Sequence, residues 1–218
     1  MARTSTTLTL ADLLECFGPL PLTRIRYDPS PGTATEEDVI AIEAQEDRLF
    51  ELVNGVLVEK VMGFYESFLA LRLGQLLGAF VDQHVLGIVA GEAGMLRLAP
   101  GLVRIPDVSF IARERLPGGR VPRQPIPDLA PDLAVEVLSE GNTAREMERK
   151  LQEYFAAGVR LVWYVAPVSQ EIHVYTSPDQ HTVLTITDTL QGGDVLPGFR
   201  LPVQQLFTEP TAETDREP

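Results

Sequence analysis

Apolar residues recur at three- and four-residue intervals from Tyr65 to Gln83. Phe68, Leu69, Leu73, Leu76, Leu77, Phe80 and Val81 form one stripe, and this spacing predicts an amphipathic helix. On either side the period changes. LFELVNGVLVEKVMG reads as two strands across Asn54-Gly55, the strongest short-range hairpin signal in the chain. After the helix, LGIVAGEAGMLRLAPG and VRIPDVSFIARE read as two strands separated by Pro-Gly, followed by a loop, RLPGGRVPRQPIPDLAP. PDLAVEVLS supplies another strand. Thr143 and Glu146 have the spacing of a capping box and open a helix that ends near Gly158. LVWYVAP is a short buried strand, in which Trp163 reads as an internal anchor, and EIHVYTS and HTVLTITD alternate as an antiparallel pair. The core order is helix, three strands, helix, strand. It predicts an α/β fold with a mixed sheet flanked by helices.

Upstream, TLTLADLLECF predicts a helix capped by Thr9, and a proline-rich connector leads to a second helix at 35–46. Residues 1–48 are therefore read as an accessory arm, 49–206 as the main domain and 207–218 as a disordered acidic tail. With 218 residues, 44% of them hydrophobic, the chain is long enough for one sizeable core. It has no 18-residue apolar run and no apolar stretch of signal-peptide length before Asp12, so a soluble cytoplasmic protein without membrane contact is expected. Cys16 is the only cysteine, which excludes an intramolecular disulfide and a thiolate zinc cluster. A formal charge of −13 argues against a general nucleic-acid coat. The segment 97–123 is locally basic, however, with Arg97, Arg104, Arg113, Arg115, Arg120 and Arg123, either as a solvated loop or as a phosphate-facing patch. His84, His173 and His181 are far apart in sequence and are expected at the surface rather than around a metal. GEAG and PGG read as turns, so neither a phosphate loop nor an organic cofactor is expected.

Glu136 interrupts the apolar strand PDLAVEVLS, and a buried carboxylate needs compensation. Alternation puts Ala134, Glu136 and Leu138 on one face and Leu133, Val135 and Val137 on the other. A second carboxylate, Asp107, precedes the apolar run VSFI. On neighbouring strands Asp107 and Glu136 could share one divalent cation, and two hard oxygen ligands favour Mg2+ or Mn2+. Such a pair is expected to hold its protons more tightly when the ion is absent. Singly, each has a plainer reading: Asp107 capping a turn, Glu136 paired with an arginine. Asp132 shares the face of Glu136 but lies about 13 Å along the strand, too far to share the ion. In the following helix Met147, Leu151, Tyr154 and Phe155 point inward, with Lys150 beside them, while Arg145, Glu146, Glu148, Arg149, Gln152 and Glu153 are expected on the solvent side. Lys60 and Lys150 are the only lysines. A compact ammonium at Lys150 could steady an attacking water or developing phosphate charge, or it could snorkel from the helix edge.

RIPDVSF followed by PDLAVEVLSEGNTAREMERKLQEYFAAGVRLVWYVAP resembles the PD-(D/E)XK nuclease superfamily, in particular its bacterial Uma-two branch of restriction-endonuclease-like proteins, from about Leu49 to Leu206. The resemblance implies a restriction-endonuclease-like core and Asp107 and Glu136 as metal acids. It also implies DNA as substrate and cutting as a homodimer. The superfamily lysine two places after the acid is replaced here by Leu138, and Lys150 resembles the migrated lysine of this branch. Glu66 matches the extra acid of the first core helix, with Glu51 and Glu59 as competitors. The implied activity is hydrolysis of DNA phosphodiester bonds by a metal-activated water, and the alternative is an inactive DNA-binding or regulatory module on the same fold. A glycosidase using the two acids is weaker, because an inward lysine has no role there. On the nuclease reading, Lys150→Ala is expected to leave folding and metal affinity nearly intact.

Overall fold

Asn54 and Gly55 both take positive φ, 52° and 81°, and close the hairpin of β1 (Phe50–Val53) and β2 (Val56–Glu59). Gly55 is required twice: a Cβ there would also lie 2.5 Å from the backbone of Gly32 in the N-terminal segment. The computed structural model describes residues 7–209, so residues 1–6 of the predicted arm and 210–218 of the predicted tail lie outside it.

The two apolar runs after the long helix α3 (Phe64–His84) are four strands rather than two: β3 (Gly87–Ala90), β4 (Leu96–Ala99), β5 (Leu102–Arg104) and β6 (Val108–Ala112). A turn closed by Gly94 N–H donating to the Gly91 carbonyl (2.9 Å) breaks the first run, and Pro106, which has no N–H to give a ladder, breaks the second. The chain uses these breaks to change sheets. β4 and β5 join the hairpin in a four-stranded sheet ordered β2-β1-β5-β4.

The remaining strands β7 (Leu133–Val137), β8 (Leu161–Ala166), β9 (Glu171–Ser177) and β10 (Gln180–Leu184) complete a six-stranded sheet ordered β10-β9-β8-β7-β6-β3. Within it the chain runs α3, β3, β6, β7, then helix α4 (Ala144–Ala156), then β8, which is the predicted order. Only β7 and β8 pair in parallel, because α4 returns the chain to the same edge between them. α4 starts in the predicted capping box, with the Thr143 hydroxyl accepting from Glu146 N–H.

Every residue of β7 is buried. Its Leu133, Val135 and Val137 pack with Leu69, Leu73 and Leu77 of α3, and Ala134 on the other face packs with Met147, Leu151 and Tyr154 of α4. The burial of each large apolar side chain contributes about 1.5–3 kcal/mol, so the sandwich of α3, sheet and α4 anchors the fold. Trp163 stacks on Phe199 inside this core, as the anchor reading expects. Its Nε1 has no hydrogen-bond partner among the described residues.

Two helices of the N-terminal segment, α1 (Leu10–Phe17) and α2 (Glu36–Glu46), cover the smaller sheet. Leu13, Phe17 and Ile25 pack on Val53, Val56 and Val58, and Val39 and Ile42 pack on Phe50 and Leu57. At the other end, β11 (Thr189–Gly192), β12 (Leu196–Pro202) and α5 (Val203–Phe207) send Leu190, Phe199, Leu206 and Phe207 into the main core, so order continues through Phe207. His84 and His181 are exposed and His173 is half-buried. The β9–β10 hairpin brings His173 and His181 together, with ring centroids 5.7 Å apart, a proximity that linear spacing does not show.

Candidate active site

The pairing of Val108 with Val135 continues one step outward to set Asp107 beside Glu136. Asp107 N–H donates to the Val135 carbonyl (2.9 Å), and Val137 N–H donates to Asp107 Oδ2 (2.6 Å). Pro106 holds the approach, and the aspartate completes a ladder that the proline leaves open. Both carboxylates are buried, Asp107 4% and Glu136 5% exposed.

Lys150 reaches the site from α4 as its helical position predicts. Its Nζ lies 3.1–3.2 Å from both Glu136 oxygens and 3.1 Å from Glu51 Oε1. It is buried, not snorkelling. One turn further along α4, the Tyr154 hydroxyl donates to Glu136 Oε1 in a short hydrogen bond. The turn-capping reading of Asp107 does not hold, since its carboxylate accepts from Val137 N–H on the neighbouring strand. The arginine partner foreseen for Glu136 is instead this lysine and tyrosine.

The second lysine, Lys60 at the end of the hairpin, sits 2.8 Å from Asp107 Oδ1 and donates to the Ile105 carbonyl (2.6 Å). Its role was not assigned from sequence, although the signal was present: the only two lysines of an arginine-using chain meet at one pair of acids. Glu51, one of the proposed competitors of Glu66, is buried between Lys150 and Arg104, whose Nη1 lies 2.6 Å from Glu51 Oε2. Arg104 also holds Glu153, which pairs with Arg149 as well. Glu59, the other competitor, turns to Arg48. Glu66 sits at the start of α3 with its carboxylate folded over Gly63, and it shares a narrow pocket with Asp107, Glu136, Lys60 and Lys150. Asp128 is exposed on the loop, and Asp132 is buried elsewhere, accepting from Ala112 N–H and paired with Arg115.

Two expectations need correction. Glu146, placed on the solvent side of α4, is 4% exposed and takes a two-pronged ion pair from Arg24. Glu153 is likewise half-buried. The small sheet and the N-terminal segment pack against that flank of α4, so the helix is covered on a side that a single-helix period leaves open. The basic segment also divides: Arg97, Arg104 and Arg115 are paired with Glu36, Glu51 and Asp132. Exposed Arg113, Arg120 and Arg123 follow the far end of β6, and Arg113, the nearest of them, is about 20 Å along the chain from Asp107. That patch does not face the acids.

Burial raises the proton affinity of Glu136, opposed by the Lys150 ammonium and reinforced by Asp107 and Glu51. Glu51 behaves in the opposite way: burial raises it, but Lys150 and Arg104 outweigh burial and bring it down to about 2. Burial alone would lower Lys150, yet Glu136 and Glu51 hold it above its ordinary value. Because the folded pKa of Glu51 lies below its unfolded value, its stabilisation is present above about pH 4.5 and is lost as the pH falls toward 2. The loss is on the order of 3 kcal/mol. Urea unfolding at pH 3 and pH 6 should show much of this loss in the wild type and a flatter response in Glu51→Gln; equal slopes would deny Glu51 the role.

The pocket adjoins a groove of about 810 Å3, with Arg24, Val61, Glu66 and Ser139 lining both. Among the described residues, no group of three or more His, Cys, Asp or Glu side chains is arranged around one point. No described helix is long and apolar enough to cross a membrane.

A family model described as Uma2, "Putative restriction endonuclease", matches residues 36–204. A solved structure from Anabaena variabilis ATCC 29413, described as "a putative nuclease belonging to DUF820", superposes with a TM-score of 0.66 at 18% identity. The match covers 74% of this chain and 90% of that one. At that identity it speaks for the fold. No curated protein matches the chain.

Proposed function

From its place in the Uma2 family, to which this chain belongs, we propose that it is a metal-dependent endonuclease acting on DNA phosphodiester bonds, with Asp107 and Glu136 as its metal acids. The observation that supports this most is the junction of β6, β7 and α4, where two buried acids and a buried lysine meet in a narrow pocket that shares Arg24, Val61, Glu66 and Ser139 with the open groove.

The side chains present suit a divalent cation. Glu51, Glu66, Asp107 and Glu136 line the pocket against Lys60 and Lys150, since the third base, Arg24, is engaged by Glu146. With Glu51 matched by Arg104, the acids Glu66, Asp107 and Glu136 outnumber Lys60 and Lys150 by one, a negative charge that a dication can offset. The donors are hard oxygens, with no cysteine or histidine among them, which suits Mg2+ or Mn2+. Two acids are sufficient, because such ions commonly keep several waters and take substrate phosphate as a further ligand. When bound, the ion supplies Lewis-acid charge beside the scissile phosphate and makes water a competent nucleophile at neutral pH.

The chain's own residues do the rest. Val137 N–H and Lys60 fix the aspartate, and Tyr154 and Lys150 fix the glutamate. Lys150 carries a permanent positive charge at the acid pair, which can balance charge developing on a phosphate oxygen. Glu66, which lines both the groove and the acid pocket, would accept a proton from an incoming water. The homodimer is kept as the form that cuts both strands, on the strength of the resemblance alone.

Supercoiled plasmid incubated with Mg2+ or Mn2+ should be nicked and linearised, and chelation should stop the reaction. An intact plasmid with both metals, together with tight DNA binding, would favour the inactive module.

A further inference from the structure

The face of the sheet that carries Glu136 does not end at α4. Register places Glu136 beside Tyr164, Tyr164 beside His173 and His173 beside Val183, in one row across four strands. Two strands from Glu136, about 10 Å away, the row reaches an aromatic cluster. His173, Tyr175 and His181 lie nearly parallel, with interplanar angles of 12–24° and centroids 4.8–6.5 Å apart. Tyr164 supports them from below, packed on Tyr175 and fixed by its hydroxyl bond to the Met147 carbonyl (2.7 Å).

The rings line a hollow of about 560 Å3 beside the N-terminal half of α4. His181 is exposed, and His173 and Tyr175 are half-buried. The hollow adjoins the active-site groove, with Leu138 and Ser139 lining both. Its charged lining consists of Glu148 and Asp179, with no lysine or arginine. That lining repels a phosphate but accommodates a neutral planar ring. The two imidazoles stack face on face, a geometry that suits stacking better than convergence on one ion.

We propose that this face is a stacking platform for an unpaired nucleobase of the DNA strand whose phosphate lies at Asp107 and Glu136. The proposal rests on the nuclease reading. The site therefore takes a strand locally opened or single-stranded near the cut, with its backbone in the groove and a base turned past the 138–142 turn onto the rings of Tyr175 and His181. Stacking on aromatic rings tolerates any base, so the platform adds affinity and a demand for unpaired structure, not a sequence preference.

The test uses the full chain and a short single-stranded oligodeoxynucleotide carrying 2-aminopurine, with chelator present to prevent cutting. Wild type should bind it and quench the fluorophore. His181→Leu and Tyr175→Leu should lose the quenching and bind roughly tenfold or more weakly, while the slope of log affinity against log salt stays unchanged because no phosphate contact is removed. His181→Phe, which restores an aromatic face, should recover both signals, and this separates stacking from misfolding. Wild-type quenching and affinity in both leucine variants would overturn the platform and leave the nuclease reading intact if plasmid cleavage persists. Wild type that cuts plasmid but does not quench would overturn it equally. Loss of a dimer in sedimentation of the leucine variants, with binding unchanged, would assign the face to a second copy of the chain. Wild type that neither binds nor cuts would sink both readings.

Discussion

Lys150→Ala is expected to destabilise the fold by about 3–5 kcal/mol, lowering the melting temperature by roughly 10 °C or more. This reverses what the isolated helix suggests. Lys150 is the shared partner of two buried acids, Glu136 and Glu51, so its removal leaves Glu136 in the interior without its nearest counterion, while Glu51 keeps Arg104. A snorkelling lysine could be truncated at little cost; a lysine under a helix and between two sheets cannot. The compensating variant makes the point sharper. Adding Glu136→Gln to Lys150→Ala removes the orphaned charge and should recover part of the loss, which a thermal melt of the double variant reads directly. An unchanged melting temperature in Lys150→Ala alone would mean that the network seen around it contributes nothing. Catalysis by Lys150 is then best tested with Lys150→Arg, which keeps the charge but spreads it over a larger plane and should restore stability better than turnover.

Asp107→Asn is expected to weigh on chemistry more than on the fold, slowing DNA cleavage by a thousandfold or more, about 4 kcal/mol of transition-state stabilisation, with a smaller loss of stability because Lys60 loses its paired carboxylate. The amide oxygen can still accept from Val137 N–H, and Lys60 keeps its bond to the Ile105 carbonyl, so the local backbone retains its partners. What is lost is the anionic oxygen facing the pocket. Cleavage within tenfold of wild type, with matched melting curves, would remove Asp107 from the chemistry.

Much of the pair's surroundings was legible because it lies on two regular elements in sequence. Period-two alternation put Glu136 on the face toward α4, and the helical period put Lys150 and Tyr154 above it. The tyrosine was read only as apolar packing, since a buried hydroxyl's partner depends on what stands opposite. Lys60, Glu51 and Arg104 arrive from the small sheet, whose contact with α4 is fixed by long-range packing that no local period reports. The same cause hid the burial of Glu146. Sheet switching at Pro106 was missed because an apolar run reads alike whether it makes one strand or two, although the proline itself marks the break.

Calorimetric titration of the full chain with Mn2+ tests the central assignment most directly. The account predicts stoichiometric binding that Asp107→Asn abolishes. Because burial raises Glu136, binding should release protons increasingly as the pH is lowered, so the heat should come to differ between buffers of unlike ionisation enthalpy. No binding at millimolar Mn2+, or binding that Asp107→Asn leaves untouched, would contradict it.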